Sequence, residues 1–596
     1  MRNRCAAVVV AVLVLVSTGV GTCNCLLQFE AFAGADNTSA QVVARGKVIL
    51  RLRGGNAEGL LTRAQAIAQK MNTAAMSGAR PTDVTVKAAD QQAQLIVAGQ
   101  AVVTVNAALA KSANSSAEGL AQSWAANVKA VLADPYLTIT PYPEVLVPVG
   151  ESRTIRWGGT AGRPDSISVA DESVVTMQDS QDGKGVVVWA LQPGDTQVTV
   201  GLRECSSVIS VLCRKWAARI PPTSQLQVSG ARLRKEQLPQ AVECLVRSVT
   251  NLEPGAWLAI GTPVTSADGY QVNVKAEGGA YLPVVRTHMV QIQRIAAPEM
   301  TADTLLVSNV PEKVAGSAVL LREHLGQRQG ARLLWHHVNA SSSPMHLSVR
   351  VHNLGDRAIP LHLTEGRAGP SLDELFAGHV AASRFMSDLF SGIGYVLPIP
   401  AGSSIEISEV RLRPRELASG VKRMVPLGDG ELIVEVTAEE TTGTSRRSVT
   451  AAPGSMYADR PTSGFAYDGE KLVDMLHTVG DGWCFYSLGK DTDMSTAGNP
   501  LMGSYGVLHR INATVENPTD RSAAIELVMH PRGGIARGVF WIEGRLVETP
   551  MLDNQSEKVI HRATVLAGNR YSVRVFTIPQ SGSHYPVLLT LRSRPQ

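Results

Sequence analysis

The side chains most able to do chemistry fall closest together between 336 and 379, where six histidines occur: His336, His337, His346, His352, His362 and His379. Clustered imidazoles can ligate zinc or copper. Strand periodicity argues otherwise here. His346, Ser348, Arg350 and His352 alternate with Leu347, Val349 and Val351, so they share one face. An arginine between two histidines reads as a solvent face. Asp491 and Asp493 lie in a Gly- and Ser-containing loop after Asp481-Gly482, but a calcium loop needs more oxygen ligands and a closing glutamate. No G-x-S-x-G elbow, H-E-x-x-H, Walker loop or dinucleotide fingerprint occurs in the sequence. A glycosidase dyad cannot be picked from scattered acids by spacing. The expectation is no catalytic residue, no metal site and no cofactor, and so not an enzyme.

The seven cysteines are Cys5, Cys23, Cys25, Cys205, Cys213, Cys244 and Cys484. No C-x-x-C pair or Cys/His cluster suggests zinc. Cys205 and Cys213 enclose seven residues, enough to turn back, and are the candidate disulfide of one hairpin in an oxidising compartment. N-x-S/T sequons at Asn37, Asn114, Asn339, Asn512 and Asn554 are read as incidental.

That compartment is suggested by the first 33 residues. Arg2 and Arg4 precede an apolar run, Cys5 to Val16, and Ala31-Phe32-Ala33 offers a small-x-small cleavage site before Gly34. This is the layout of a secretory signal. The run falls short of a membrane span. Lipidation at Cys23 is disfavoured by Thr22 before it, and an uncleaved anchor is the other rival. The expected product is secreted, periplasmic or at the cell surface, with no transmembrane segment once the signal is cut. Net charge is +4 over 596 residues, with no basic block, so nucleic acid is not expected as a partner.

The elements that must carry these residues are mostly short strands. Residues 34–46 read as a linker and 47–134 as a small α+β domain of order β-α-β-β-α. Thr62 with Gln65, and Ser115 with Glu118, form the capping boxes of its helices. Residues 135–215 show seven short strands separated by Gly, Pro and Asp turns, the pattern of a β-sandwich. Three of its runs are Leu146-Val-Pro-Val-Gly-Glu-Ser-Arg-Thr-Ile, Val169-Ala-Asp-Glu-Ser-Val-Val and Leu191-Gln-Pro-Gly-Asp-Thr-Gln-Val-Thr-Val. This stretch resembles a bacterial Ig-like domain, and equally the N-terminal module of pilus-formation secretin proteins. The resemblance implies a sandwich and brings no catalytic residue with it.

Residues 216–300 read as a β-rich or mixed third domain, with a helix over 239–249 and strands over 257–260, 270–274 and 284–295. In the last half, Val351-x-Asn353-x-x-Asp356-Arg357 returns as Val515-x-Asn517-x-x-Asp520-Arg521. Each copy reads as a strand, a polar turn and a strand, with the turn Asn and Asp exposed. The expectation is two related sandwiches, 301–450 and 465–596, joined by a linker at 451–464. A helix capped by Ser371 and Glu374 is inserted in the first. The fold class is therefore mainly β: tandem Ig-like or fibronectin-like sandwiches preceded by a small α+β domain. The function expected is a structural, adhesion or assembly role in the cell envelope, with envelope or surface protein or glycan as partner. A glycan- or peptidoglycan-binding module and a secreted hydrolase are the alternatives.

Overall fold

The computed structural model describes residues 26–34, 38–54, 56–301, 303–326, 328–441 and 461–595. The apolar run Cys5–Val16, Cys23 and residues 451–460 of the expected linker lie outside them. The chain is mainly β, and it divides into two compact units, Met1–Trp216 and Ala217–Gln596.

The first unit opens earlier than the sequence suggests. Strands Glu30–Ala33, Ser39–Ala44 and Lys47–Arg53 form a three-stranded antiparallel sheet. Leu27 and Phe29 are buried with the core of the α+β domain, and the Leu27 amide donates to the Leu137 carbonyl at 2.8 Å. A cut after Ala33 would remove a strand and two core side chains, so the expected domain start at 47 and the linker at 34–46 are both corrected. The small side chains of Ala31 and Ala33 belong to an edge strand. The helices also start differently. The first runs Ala57–Met76 with Asn56 as its cap, and the third runs Ala117–Leu132 with Ser116 as its cap. Asn56 and Ser116 each accept a bond from the amide three residues on, so neither Thr62 nor Ser115 is needed. A short helix, Ala107–Ser112, precedes the latter.

The following sandwich has two four-stranded sheets, as the Ig-like resemblance implies. The eighth strand, Cys205–Arg214, was expected as a hairpin. The buried Tyr136 hydroxyl donates to the Ala79 carbonyl at 2.7 Å and the Ala75 carbonyl at 3.2 Å, joining the sandwich to the α+β core. Gly158 lets the backbones meet there, since a Cβ would stand 2.2 Å from the Met76 carbonyl oxygen.

The second unit is built on one twelve-stranded sheet. Its main path runs Trp257–Ile260, Gly269–Glu277, Val284–Ile295, Thr223–Ser229 and Gly394–Ile399. It continues through Ile359–Ser371, Leu417–Pro426, Ala331–Asn339 and Thr304–Ser308 to Ala466–Asp468. Strand Thr223–Ser229 is the joint, parallel to Val284–Ile295 and antiparallel to Gly394–Ile399. Residues 216–300 are therefore not a domain of their own. Val272, Val274 and Val290 enter the same core as Leu347, Val351 and Leu361. The strands Ala318–Leu325, Leu432–Glu440, Met345–Asn353 and Ser404–Leu412 form the facing sheet. The helix Glu374–Phe390 takes Asp373 as its cap rather than Ser371, and buries Ala377, Ala381 and Phe385.

The last sandwich sets a five-stranded sheet, led by Glu470–Thr478 and Leu508–Glu516, over a four-stranded one led by Cys484–Leu488 and Val587–Pro595. Both Asn-containing turns pass from one sheet to the other. Met345–Asn353 and Ile359–Ser371 lie in different sheets, as do Leu508–Glu516 and Ala523–Pro531. They are sheet crossovers, not hairpins, and both asparagines are buried rather than exposed. Asn353 donates to the carbonyls of Arg357 and Ile399, at 2.7 and 2.9 Å. Asn517 donates to those of Arg521, Val565 and Leu566, at 2.7, 3.1 and 3.1 Å. Each side-chain oxygen accepts the amide two residues on, closing the turn. A buried backbone carbonyl needs a donor, and the crossover asparagine supplies it.

Candidate functional site

The histidines do not assemble a site. Among the described residues no three His, Cys, Asp or Glu side chains are placed to hold a metal ion. His337 bonds the Ser308 hydroxyl at 2.9 Å and the Pro311 carbonyl at 3.0 Å, and His362 bonds the Ser229 hydroxyl at 2.9 Å. Burial pulls His336, His337 and His362 down to about 4, so all three are neutral near pH 7. The face read as solvent is corrected: Ser348 and His352 are buried, and Arg350 is ion-paired with Glu406 and Glu439. The reason is position. Met345–Asn353 is an inner strand, and long charged side chains from its neighbours cover the face that its polar residues share.

Charge in this sandwich is internal and paired. Asp303 accepts from Arg332 at 3.1 Å and from Arg423 at 3.0 Å, Lys422 donates to Glu365, and Arg322 pairs with Glu435 at 3.5 Å. All seven side chains are buried. Each such carboxylate neutralises a cation that has lost its water, which makes the set structural.

The candidate disulfide is also corrected. Cys205 and Cys213 stand at opposite ends of the single strand Cys205–Arg214, opposite Leu202 and Gly194 respectively. Eight residues of extended chain span roughly 26 Å, against the roughly 7 Å limit for bridged Cα atoms. Cys213 is a buried free thiol, and Cys205 is disulfide-bonded, though not to Cys213.

The feature that stands out lies in the last sandwich, and nothing in the sequence reading singled it out. Among the described residues, strand Glu470–Thr478 pairs on one side only. It runs parallel to Leu508–Glu516 over nine residues with no bulge. Strand Cys484–Leu488, the edge of the opposite sheet, pairs only with Val587–Pro595. Val473 and Met475 turn to the core, which leaves Leu472, Asp474 and Leu476 on the outer face. Leu472 is 71% and Leu476 59% exposed, and on the other edge Trp483 and Phe485 are 54% and 55% exposed. The two rings lie 6.3 Å apart, and the Arg592 guanidinium sits 5.5 Å from the Trp483 ring. Arg592 is itself held by Glu526 and Glu557, each at 2.8 Å, so the indole is backed by a fixed cation.

Charge on this edge is uneven. Lys471 pairs with Asp493 at 2.7 Å and Glu470 with Arg510 at 2.8 Å. Asp474 accepts one bond from the Asn512 amide at 2.9 Å, while the diagonal Arg510 is engaged by Glu470. An open strand edge presents a row of unpaired N–H and C=O groups, normally protected by proline, lysine, a bulge or a short length. This nine-residue strand has one lysine, tied to Asp493, and no proline or bulge. Its alternation was readable: residues 472–476 are Leu-Val-Asp-Met-Leu, apolar on both faces. A strand apolar on its outer face expects contact there.

A family model described as a domain of unknown function (DUF8459) matches residues 41–134, most of the α+β domain. Among curated proteins none is similar in sequence. Among solved structures, two domains of the S-layer protein SbsC share 11% identity, covering 26% of this chain and 99% of that one, with a TM-score of 0.13. The titin Ig tandem A164-A165 shares 13%, covering 27% and 97%, also at 0.13. The insect immune protein hemolin shares 10%, covering 33% and 62%, at 0.15. The strand pairings themselves define the β-sandwiches.

Proposed function

We propose that this chain is an exported, non-enzymatic protein of the cell envelope or surface. Its rigid sandwiches act as spacers, and the open edge of the last one makes an adhesive or assembly contact. The observation that carries this reading is the edge itself: two strands that each pair on one side only among the described residues, bearing or flanked by Leu472, Leu476, Trp483 and Phe485, all more than half exposed. Apolar side chains grouped at an open edge mark a surface made to be covered. The buried ion pairs and neutral histidines bond to one another and to hydroxyl and backbone groups within the sheets, which supports a scaffold role. The charged start and apolar run of the sequence support export, with a leader that ends before Leu26, because Leu26, Leu27 and Phe29 are part of the fold.

Fractionation of cells tests the reading, together with mass spectrometry of the mature N-terminus. The expected product is exported, begins before Leu26, and is held at the envelope. Leu476→Lys with Trp483→Ala releases it without unfolding it. A cytoplasmic protein, or turnover of envelope polymers by the purified chain, would sink the proposal. A glycan partner has the exposed Trp483 and Phe485 rings in its favour. They are tilted 59° to one another, so they do not form one flat sugar platform. Retention on polysaccharide that survives the Leu476 change but not the Trp483 change would favour the glycan.

A further inference from the structure

We infer that the open edge strand Glu470–Thr478 takes an extended strand from another protein, with a basic residue flanked two positions away on each side by apolar ones. This rests on the assembly reading above and names its partner. Backbone geometry sets the class of ligand. Only an extended chain can meet the alternating outward N–H and C=O groups of Glu470, Leu472 and Asp474 on this bulge-free strand, the Leu476 backbone being already bonded to the Cys484 thiol. Side chains set the pattern. Added antiparallel, the incoming strand places residues directly opposite Leu472, Asp474 and Leu476, with Cβ atoms about 5 Å apart. Leucine is best met by apolar groups. Asp474, with only the Asn512 amide on it, is best met by lysine or arginine.

The same geometry disfavours a second copy of this chain. Two copies related by a two-fold axis pair antiparallel, and the register that matches Leu472 with Leu476 sets Asp474 against itself. Sliding by two residues instead sets Asp474 against Leu472 or Leu476. Each of these registers, the ones that keep both leucines paired or slide by two, meets a like charge or strands a carboxylate among apolar groups, and the complementary basic strand meets neither.

The test uses the full exported chain and three nine-residue peptides of alternating β-forming residues. One carries Leu-x-Lys-x-Leu at its centre, one Leu-x-Glu-x-Leu, and one repeats the lysine sequence with alternate backbone nitrogens methylated. Fluorescence anisotropy should show the lysine peptide binding about tenfold or more tightly than the glutamate peptide. The methylated peptide should lose binding, because the blocked N–H groups are those facing the edge. Asp474→Lys should reverse the preference between the first two peptides. The proposal is overturned if no peptide binds, if Asp474→Lys leaves the preference unchanged, or if the purified chain forms a stable dimer that the lysine peptide does not dissociate. If Leu476→Lys with Trp483→Ala releases the protein from the envelope while no peptide binds, the assembly reading stands and the strand partner falls. If the peptide binds with the expected charge dependence while envelope retention ignores the edge, the strand site stands and the assembly reading falls.

Discussion

The sandwich of residues 304–440 buries ion pairs and has the margins of its larger sheet covered, whereas the sandwich of residues 470–595 turns apolar side chains outward at two of its open strand edges. In the first, strand Thr304–Ser308 is capped by Ala466–Asp468, and Gly394–Ile399 is extended by Thr223–Ser229. Helix Glu374–Phe390 lies across Ile359–Ser371 so closely that a Cβ on Gly366 would stand 2.1 Å from the Ala381 carbonyl oxygen. In the second, Glu470–Thr478 and Cys484–Leu488 have no such neighbour among the described residues. Under the proposed assembly role, the first sandwich is stable in itself and the second is completed by a partner. Substitutions in the two should accordingly differ in kind, costing stability in the first and association in the second.

The largest effect should come from Asp303→Asn. It leaves Arg332 and Arg423 buried without their shared carboxylate, a loss of about 3–5 kcal/mol. Urea unfolding followed by the fluorescence of buried Trp335 should show a much lower midpoint. An unchanged midpoint would mean that these charges do not hold the first sandwich together.

The two crossovers sharpen the comparison because they should behave alike. Asn353→Ala and Asn517→Ala each leave buried carbonyls without a donor, and each should cost about 1–3 kcal/mol. Limited proteolysis should then open the altered sandwich and spare the other. If one substitution is costly and the other neutral, the shared V-x-N-x-x-D-R pattern is a coincidence of turns.

Acid should press on the first sandwich. His336, His337 and His362 are held at about 4 by burial, below their ordinary 6.5. The unfolded chain therefore binds more protons between those values, and stability falls as pH drops from about 6.5 toward 4. Each histidine contributes on the order of 3 kcal/mol across that window. In the second sandwich His509 is pulled down to about 3, mainly by burial and secondarily by Lys471, and burial also lowers His477 and His561, so the sign is the same there. Unfolding at pH 7 and pH 5 measures this, and equal stability at the two would contradict the neutral buried state.

The strands and most of the helix positions were legible because alternation and period depend on local sequence. The core-facing rows Leu347–Val349–Val351 and Ile511–Ala513–Val515 are buried as their alternation requires. What the sequence hid depends on partners distant in the chain. Whether Ser348 and His352 meet water is decided by Leu432–Glu440 and Ser404–Leu412, strands more than fifty residues away. Cys205 and Cys213 looked like a bridge because spacing alone does not tell a hairpin from a straight strand. Ala31-Phe32-Ala33 has the composition of a cleavage site and of an edge strand alike. The open edge was half visible, in the apolar residues on both faces of 472–476, but that it lacks a neighbour is a fact of topology.

The smallest stability effect belongs to the edge, and it is the most informative. Leu472→Lys and Leu476→Lys replace side chains that lie mostly in water, so unfolding should shift by no more than about 0.5 kcal/mol. Lysine on an edge strand also guards against unwanted pairing. If the leucines were only stray surface residues, these changes would be silent in every assay. If the edge is there to be covered, the same changes leave the urea midpoint in place while removing envelope retention. A stability loss as large as that of Asp303→Asn would mean that the leucines are covered within the chain itself, and the contrast between the two sandwiches would disappear.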